Sequence, residues 1–156
     1  MYCSRIPQNS QKQKNAFTLI EVILMTALFL VLAGMSSVFY GQFLLDNAVA
    51  ETENRIVSFV RTAQGYAIAG KGGIPWGISQ SNGKLFLFQG NSFATRNTSL
   101  DRTTAIPSNV TINNFSEITF QPVSGTPSVT NTITISATNG TTRTLTMNTA
   151  GVVSRQ

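Results

Sequence analysis

The chain has 156 residues, of which 11 are Lys or Arg, 6 are Asp or Glu and none is His. This length suits one domain of ordinary size. The single cysteine, Cys3, excludes an intrachain disulfide and a zinc site built from cysteine and histidine ligands. The absence of histidine excludes catalytic arrangements of the Ser-His-Asp and Cys-His kinds. The net charge of +5 is concentrated at the start, because residues 1–16 hold three basic residues and no acid, whereas the rest sums to 8 − 6 = +2.

An apolar stretch follows this polar, basic start. Residues 16–35 contain one charged residue, Glu21. About 20 apolar residues suffice for a helix to span a bilayer, and basic residues before such a segment favour a cytoplasmic N-terminus. The pattern predicts a single-pass membrane protein in which residues 17–40 form the membrane-spanning half of a helix and the remainder lies outside the cytoplasm. No proline follows before Pro75, so we expect the helix to continue to about Ala69.

The second half of this helix, residues 41–70, has an amphipathic pattern. Apolar or small residues recur every three or four positions, which predicts one buried helix face. The predicted face consists of Leu45, Val49, Thr52, Ile56, Phe59, Ala63 and Tyr66. The charged residues Asp46, Glu53 and Arg61 are expected elsewhere on the helix, and Glu51 with Arg55 forms a favourable pair at i and i+4.

The chain changes character in residues 71–156, where apolar residues alternate with Asn, Thr, Ser and Gly. The dipeptides Asn82-Gly83 and Asn139-Gly140 are strong signals for β-hairpins. Strands are predicted at 74–79, 84–89, 110–112, 118–120, 132–138, 142–148 and 151–154. Alternation of this kind is typical of an antiparallel sheet with one buried face. The expected fold class is therefore α+β, with a long N-terminal helix packed through its amphipathic half on an antiparallel β-sheet or sandwich.

A short sequence motif lies at the boundary between the basic residues 1–16 and the apolar stretch. After the small residue Ala16, the chain continues Phe17-Thr18-Leu19-Ile20-Glu21. This segment resembles the class III signal of type IV pilins and pseudopilins, which are substrates of prepilin peptidase. The resemblance implies that residues 1–16 are a leader cut between Ala16 and Phe17, that the new amine of Phe17 is N-methylated, and that Glu21 pairs with such an amine in a helical filament. Major pilins usually carry a proline deeper in the apolar stretch, and its absence here favours a pseudopilin or minor pilin.

The chemistry of Glu21 supports a function from the residue alone. An ionised side chain at the centre of a spanning helix costs about 2.5–3.5 kcal/mol on insertion scales. Glu21 lies ~6 Å along the helix axis from Phe17, near the inner interface, where that cost is reduced but not removed. An acid retained at such a place indicates a function with a positively charged partner. The simpler interpretation, a glutamate tolerated at the membrane edge, stays open.

The closing segment, residues 132–154, resembles the last strands of the GspH/FimT-like minor pilins. Some members of that group bind DNA through arginines during uptake. The candidate DNA contacts are Arg96, Arg102, Arg143 and Arg155. Binding to phosphates needs clustered positive charge, and the spread of these arginines along the chain favours ordinary solvated surface.

The aromatic residues Trp76, Phe86 and Phe88 are candidates for a binding platform, but their spacing favours core packing.

Three functional classes remain open. A filament subunit would serve a type IV pilus-like structure, a type II secretion pseudopilus or DNA uptake. Its partners would be prepilin peptidase, other subunits and the membrane, which it contacts through residues 17–40. No cofactor, metal or catalytic residue is expected for such a subunit. A secreted β-domain would act as an extracytoplasmic binding module after cleavage of an ordinary signal peptide near Gly34, although Glu21 opposes insertion of such a peptide. An anchored enzyme would need a Ser/Lys dyad with Lys71 or Lys84, which no other feature favours.

Overall fold

The computed structural model describes residues 17–156, and for residues 35–39 it describes the backbone alone. The predicted leader at 1–16, including Ala16, therefore lies outside the described residues. The chain divides into two compact units, of which the first ends at Phe39 and the second comprises Tyr40–Gln156. The α+β fold class predicted from the sequence is confirmed by one long helix and two antiparallel sheets.

The helix α1 comprises Leu19–Ile68. Its start is capped by Thr18, whose carbonyl oxygen accepts a hydrogen bond from the backbone N–H of Val22 at 3.2 Å. Its end is followed by Gly70 in the left-handed conformation, with φ 62°, and by a 3-10 turn at Lys71–Gly73. The prediction of one long helix that ends at these glycines is confirmed. Among the described residues, no helix was found that is both long and apolar enough to cross a membrane.

Within the second unit, one side of α1 is buried against the sheets. The predicted face is confirmed, because its members are all buried or half-buried: Leu45, Val49, Thr52, Ile56, Phe59, Ala63 and Tyr66. The prediction for Glu53 is wrong, since this residue is only 2% exposed. Glu53 lies four positions after Val49 and four before Val57, so it belongs to the buried stripe, and arginines from the sheet compensate its charge.

Eight strands form two four-stranded sheets. They are β1 (Trp76–Ser81), β2 (Lys84–Gln89), β3 (Arg102–Ala105), β4 (Val110–Asn113), β5 (Ile118–Phe120), β6 (Asn131–Ala137), β7 (Thr142–Met147) and β8 (Val153–Arg155). The first sheet has the order β3-β2-β1-β5 and the second has the order β4-β6-β7-β8. All neighbouring strands are antiparallel. The antiparallel sandwich-like half that the sequence predicts is therefore present.

Both predicted hairpins form where the Asn-Gly pairs stand. Strands β1 and β2 pair from Trp76↔Gln89 to Ser81↔Lys84, and the turn places Asn82 and Gly83 at φ 49° and 67°. Positive φ at both central positions is the geometry that an Asn-Gly turn permits without strain. The hairpin of β6 and β7 turns through 138–141 in the same region as predicted. The strand β3 was not predicted, and β1 begins two residues later than expected.

The core lies between the helix and the inner faces of the two sheets. It includes, from the predicted alternation, Ile133, Ile135 and Ala137 of β6 and Leu145 and Met147 of β7. The core also holds Trp76, at 3% exposure, whereas Phe88 is fully buried on the other face of β2 beside Phe93. Core packing is therefore the role of Trp76 and Phe88, and Phe86 is half-buried against the same Phe93 ring.

One glycine is required by the way these strands pack. A Cβ atom at Gly77 would lie 2.7 Å from the carbonyl oxygen of Ile118 and 2.7 Å from the ring of Phe88. Gly77 is paired with Phe88 across β1 and β2, so the ring occupies the space above the glycine. The close approach of β1 to β5 on one side and of this ring on the other leaves no room for any side chain.

Candidate functional site

The first candidate site is the start of α1. Phe17 is 77% exposed and precedes the helix, and Glu21 lies in its first turn, half-buried. The backbone N–H of Glu21 donates to the hydroxyl of Thr18 at 3.4 Å. A carboxylate in the first turn interacts favourably with the positive end of the helix dipole. Among the described residues, the Glu21 carboxylate has no side-chain partner, so its position is compatible with binding a cation from another molecule.

Glu21 shares one side of the helix with Phe17. The side chains that border the same shallow surface are Phe17, Glu21, Val22, Met25, Thr26 and Phe29. Residues four apart on a helix lie above one another, so Glu21 and Met25 form one row, and Phe17, just before the helix, borders the same surface. The structure thus places Phe17, the predicted methylation site, and Glu21, the predicted assembly residue, on one surface, whereas Ala16, the other residue of the predicted cleavage junction, lies outside the described residues.

The row is surrounded by exposed apolar side chains. Every large apolar residue described in this unit is at least half exposed: Phe17, Leu19, Ile20, Val22, Ile23, Leu24, Met25, Leu28, Phe29, Leu30, Val31 and Leu32. Contiguous exposed apolar surface of this extent marks a site that contacts lipid or protein. Glu21 is the one charged residue between positions 17 and 45 of the sequence.

The four arginines that were candidate DNA contacts lie at three separate places. Arg96 is in the loop after β2, where its guanidinium donates to Asp101 at 2.8 Å and lies 3.7 Å from the centre of the Phe93 ring. Its side chain is only 19% exposed. Arg96 therefore holds this loop to the aromatic side chains of β2, and its charge is balanced within the chain.

Arg143 and Arg155 are the two arginines that the fold brings together. Each forms an ion pair with Glu53 at 3.0 Å, from β7 and β8 respectively. Arg155 also donates to the side chain of Asn54 at 2.8 Å. The Glu53 side chain is 3% exposed, while the arginines are about half exposed, at 47% and 54%. The Glu53 carboxylate is thus buried, and the two arginine guanidinium groups that pair with it compensate its charge.

A second acidic contact joins the helix to the β6–β7 turn. The hydroxyl of Thr141 donates to Asp46 at 2.6 Å and the amide of Asn139 donates at 3.3 Å. These hydrogen bonds, with Thr141 the larger cause and Arg143 a further one, hold the pKa of Asp46 below its ordinary value of 3.8. The hairpin is therefore attached to α1 by polar contacts at its tip as well as by the core beneath it.

Arg102 lies apart from the other arginines, on the edge strand β3. Its guanidinium carbon is 5.9 Å from the centre of the Tyr66 ring, and the ammonium group of Lys71 is 4.0 Å from the same ring. The second lysine considered for a Ser/Lys dyad, Lys84, is exposed at the start of β2. In the described part of the chain, neither lysine is hydrogen-bonded to a serine side chain. DNA contact by the arginines stays a prediction.

Comparisons with known proteins place the chain in a family. No curated protein and no solved structure matches it. The family model described as type II transport protein GspH matches residues 52–151, which is more than half of the chain and covers the end of α1 and nearly all of the sheets. The chain therefore belongs to the GspH family of structural pseudopilins, which are components of type II secretion.

Proposed function

We propose that this chain is a pseudopilin that prepilin peptidase cuts between Ala16 and Phe17, that its new amine is methylated, and that Glu21 holds it in register in a pseudopilus. The observation that carries the proposal is the placement of Glu21. It is the single charge in the apolar stretch, it stands one turn from Phe17, and the two side chains share one side of the helix. Membership of the GspH family supports assembly with other pseudopilins.

The pairing of a carboxylate with an amine follows from the cost of either group alone. A lone ionised group in an apolar environment is strongly unfavourable, and a partner of opposite charge removes most of that cost. The amine that cleavage would create at Phe17 is such a partner, either in the same chain or in the next subunit. A contact between Glu21 of one subunit and Phe17 of the next would select one axial register among many that the apolar side chains alone allow.

The proposal also includes a membrane-held state before assembly. The basic residues of the leader favour a cytoplasmic N-terminus. The exposed apolar side chains after Phe17 need a cover of lipid tails before assembly and of neighbouring helices afterwards. The second unit, Tyr40–Gln156, would then be extracytoplasmic. Because Cys3 precedes the proposed cut, the mature chain would contain no cysteine.

Mass spectrometry of the protein from its native host tests the proposed processing. We expect a mature chain that begins at Phe17 and carries one additional methyl group. A chain that begins near Gly34 would instead support an ordinary signal peptide, and a fully active chain that retains residues 1–16 would contradict the role of the leader. Replacing Ala16 with a bulky residue is expected to leave an uncleaved precursor.

Cross-linking tests the role of Glu21. A variant with both Met25→Cys and Phe29→Cys would carry the two cysteines of the mature chain on the same side of the helix as Glu21. Contact of Glu21 with Phe17 of the next subunit offsets neighbouring helices by four residues, so we expect position 29 of one subunit to form a disulfide with position 25 of the next, giving linked dimers and multimers when subunits assemble. Adding Glu21→Ala should abolish the dimers while processing and membrane insertion persist, whereas adding Thr26→Val, a change on the same side, should not. Undiminished cross-linking in the Glu21→Ala background would overturn the pairing of Glu21 with the amine.

A further inference from the structure

A pair of cations lies beside an aromatic ring at the end of α1. The ammonium group of Lys71 is 4.0 Å from the centre of the Tyr66 ring, and the Arg102 guanidinium is 5.9 Å from it. Both cations are exposed and Tyr66 is half-buried. We call these three residues the Tyr66 patch. Within the described part of the chain neither cation forms an ion pair, and the Tyr66 hydroxyl makes no hydrogen bond.

The patch is held in place by buried residues. The carbonyl oxygen of Lys71 accepts hydrogen bonds from the Trp76 indole at 2.8 Å and from the Gln89 amide at 3.0 Å. Trp76 and Gln89 are 3% and 5% exposed. The Trp76 ring also packs edge-on against Tyr66, with 4.8 Å between ring centres. The backbone of Lys71 is therefore fixed, and a partner would not have to order it.

The acidic residues of the chain are not free to serve as the partner. All six lie among the described residues, and five of them are engaged within the chain. These are Asp46 with Thr141, Glu51 with Arg55, Glu53 with Arg143 and Arg155, Asp101 with Arg96, and Glu117 with the backbone N–H of Phe93. The sixth, Glu21, lies in the apolar part of α1. In a second copy, the exposed acids Asp46 and Glu51 would have to exchange these contacts before they could bind the patch.

We propose that the Tyr66 patch is a docking surface for an acidic side chain of a different pseudopilin. This inference rests on the proposed function and adds the chemistry of the neighbour. Two cations beside one ring, without acidic partners among the described residues, attract a carboxylate, and a net positive chain disfavours the same contact between copies. The patch would thereby select a heterologous neighbour, whereas the helix row around Glu21 sets the axial position.

Peptide binding to the full chain in detergent tests the patch directly. The probes are a labelled peptide of alternating Glu and Gly, the same peptide with Gln in place of Glu, and a short DNA duplex. Trp76 is the single tryptophan of the chain and its ring is 5.4 Å from the Lys71 ammonium, so its emission reports binding at this place. We expect the acidic peptide alone to bind, with a change in Trp76 emission and with affinity that falls as salt is added.

Variants separate the patch from general charge. Lys71→Gln with Arg102→Gln should weaken binding of the acidic peptide at least tenfold, whereas Arg61→Gln with Lys84→Gln, which removes the same charge elsewhere, should change it less than twofold. Lys71→Arg should retain binding and shows that the segment still folds. Equal loss in both double variants, no loss in the first, or binding of the duplex in place of the peptide would each overturn the proposal.

Assembly in the native host distinguishes this proposal from the function on which it rests. A chain that is not cut at Phe17 would contradict the proposed function, but the peptide experiment would still judge the patch. A second result would overturn the proposal for the patch alone. In that result the chain is cut normally, and the Lys71→Gln and Arg102→Gln double variant enters filaments as efficiently as the unaltered chain. We expect normal processing of this double variant and at least a tenfold loss of incorporation.

Discussion

The Glu53 network offers a test of how the helix is attached to the sheet. Glu53 is buried, and Arg143 and Arg155 each contact it at 3.0 Å from outside. If one arginine is changed to glutamine, the other still compensates the carboxylate. Each arginine is about half exposed, so its own pairing contributes only about 1 kcal/mol, near the value for exposed ion pairs. Each single variant should therefore lower the free energy of unfolding by about 1 kcal/mol.

The double variant, Arg143→Gln with Arg155→Gln, should be much less stable than this sum. It leaves a carboxylate that is 97% hidden from water without any cation, and such an uncompensated charge costs about 3–5 kcal/mol. The expected coupling between the two arginines is thus about 1–3 kcal/mol. Adding Glu53→Gln to the double variant removes the buried charge and should restore most of the lost stability.

Urea unfolding of the fragment 41–156, followed by circular dichroism, measures these differences. With a slope of about 1–3 kcal/mol per molar urea, the double variant should unfold at least ~1 M earlier than the parent. Arg61→Gln is a matched control, because Arg61 is exposed on the same helix and forms no ion pair among the described residues; it should change stability by less than about 0.5 kcal/mol. Additive single variants, or no recovery with Glu53→Gln, would refute the reasoning.

Three further outcomes follow from the packing and the polar contacts of the second unit. The fragment 41–156 should be soluble and unfold in one cooperative transition, because every buried apolar residue described lies within it; a fragment without a urea transition would contradict this. Gly77→Ala should lower the free energy of thermal unfolding by about 1–3 kcal/mol because its Cβ would meet two atoms at 2.7 Å, whereas Gly65→Ala, with open space around it, should not destabilise. Asp46→Asn should remove an acid-sensitive part of the free energy of unfolding. Hydrogen bonds from the β6–β7 turn keep the pKa of Asp46 below 3.8, so the stabilisation by the ionised carboxylate is present above pH 3.8 and is lost as the pH falls through the folded-state pKa. The difference in free energy of unfolding between the variant and the unaltered chain should therefore shrink on acidification.

The parts of the fold that the sequence predicts well are those fixed by local physics. The hairpin between β1 and β2 follows from Asn82 and Gly83, since few other pairs adopt positive φ at both turn positions. The buried helix face follows from a period that depends only on the helix itself. The strands β6 and β7 were found because one of their faces is buried and the other is not, which produces clean alternation.

The parts that the sequence did not predict depend on contacts distant along the chain. The residues of strand β3, Arg102–Ala105, are nearly all exposed, so apolar and polar residues do not alternate along it. The strand forms because its backbone can pair with that of β2. The sequence pattern predicts Glu53 outside the apolar helix face, although its spacing from Val49 and Val57 puts it in the buried stripe. Only the later strands, β7 and β8, bring the cations that make its burial tolerable.

The same contrast holds for the candidate sites. Phe17 and Glu21 are close along the chain, so a short motif is enough to predict that they share one surface. The Tyr66 patch joins the end of α1, the 3-10 turn that contains Lys71, and Arg102 on an edge strand. Arg102 is one of four arginines that are spread along the sequence, and its proximity to the Tyr66 ring and to Lys71 on the same ring depends on the fold.

The distribution of charge connects these sites. After removal of the leader the chain would hold 8 basic and 6 acidic residues. In the described structure, the contacts within the second unit occupy every acid except Glu21 and leave four basic residues without an acidic partner: Arg61, Lys71, Lys84 and Arg102. A chain arranged in this way presents one unpaired carboxylate on its apolar helix and unpaired cations on its folded domain. Glu21 lies among exposed apolar side chains, whereas these cations are exposed on the folded domain, so the two contacts that we propose differ in chemistry: the first pairs a carboxylate with an amine, and the second pairs cations with a carboxylate.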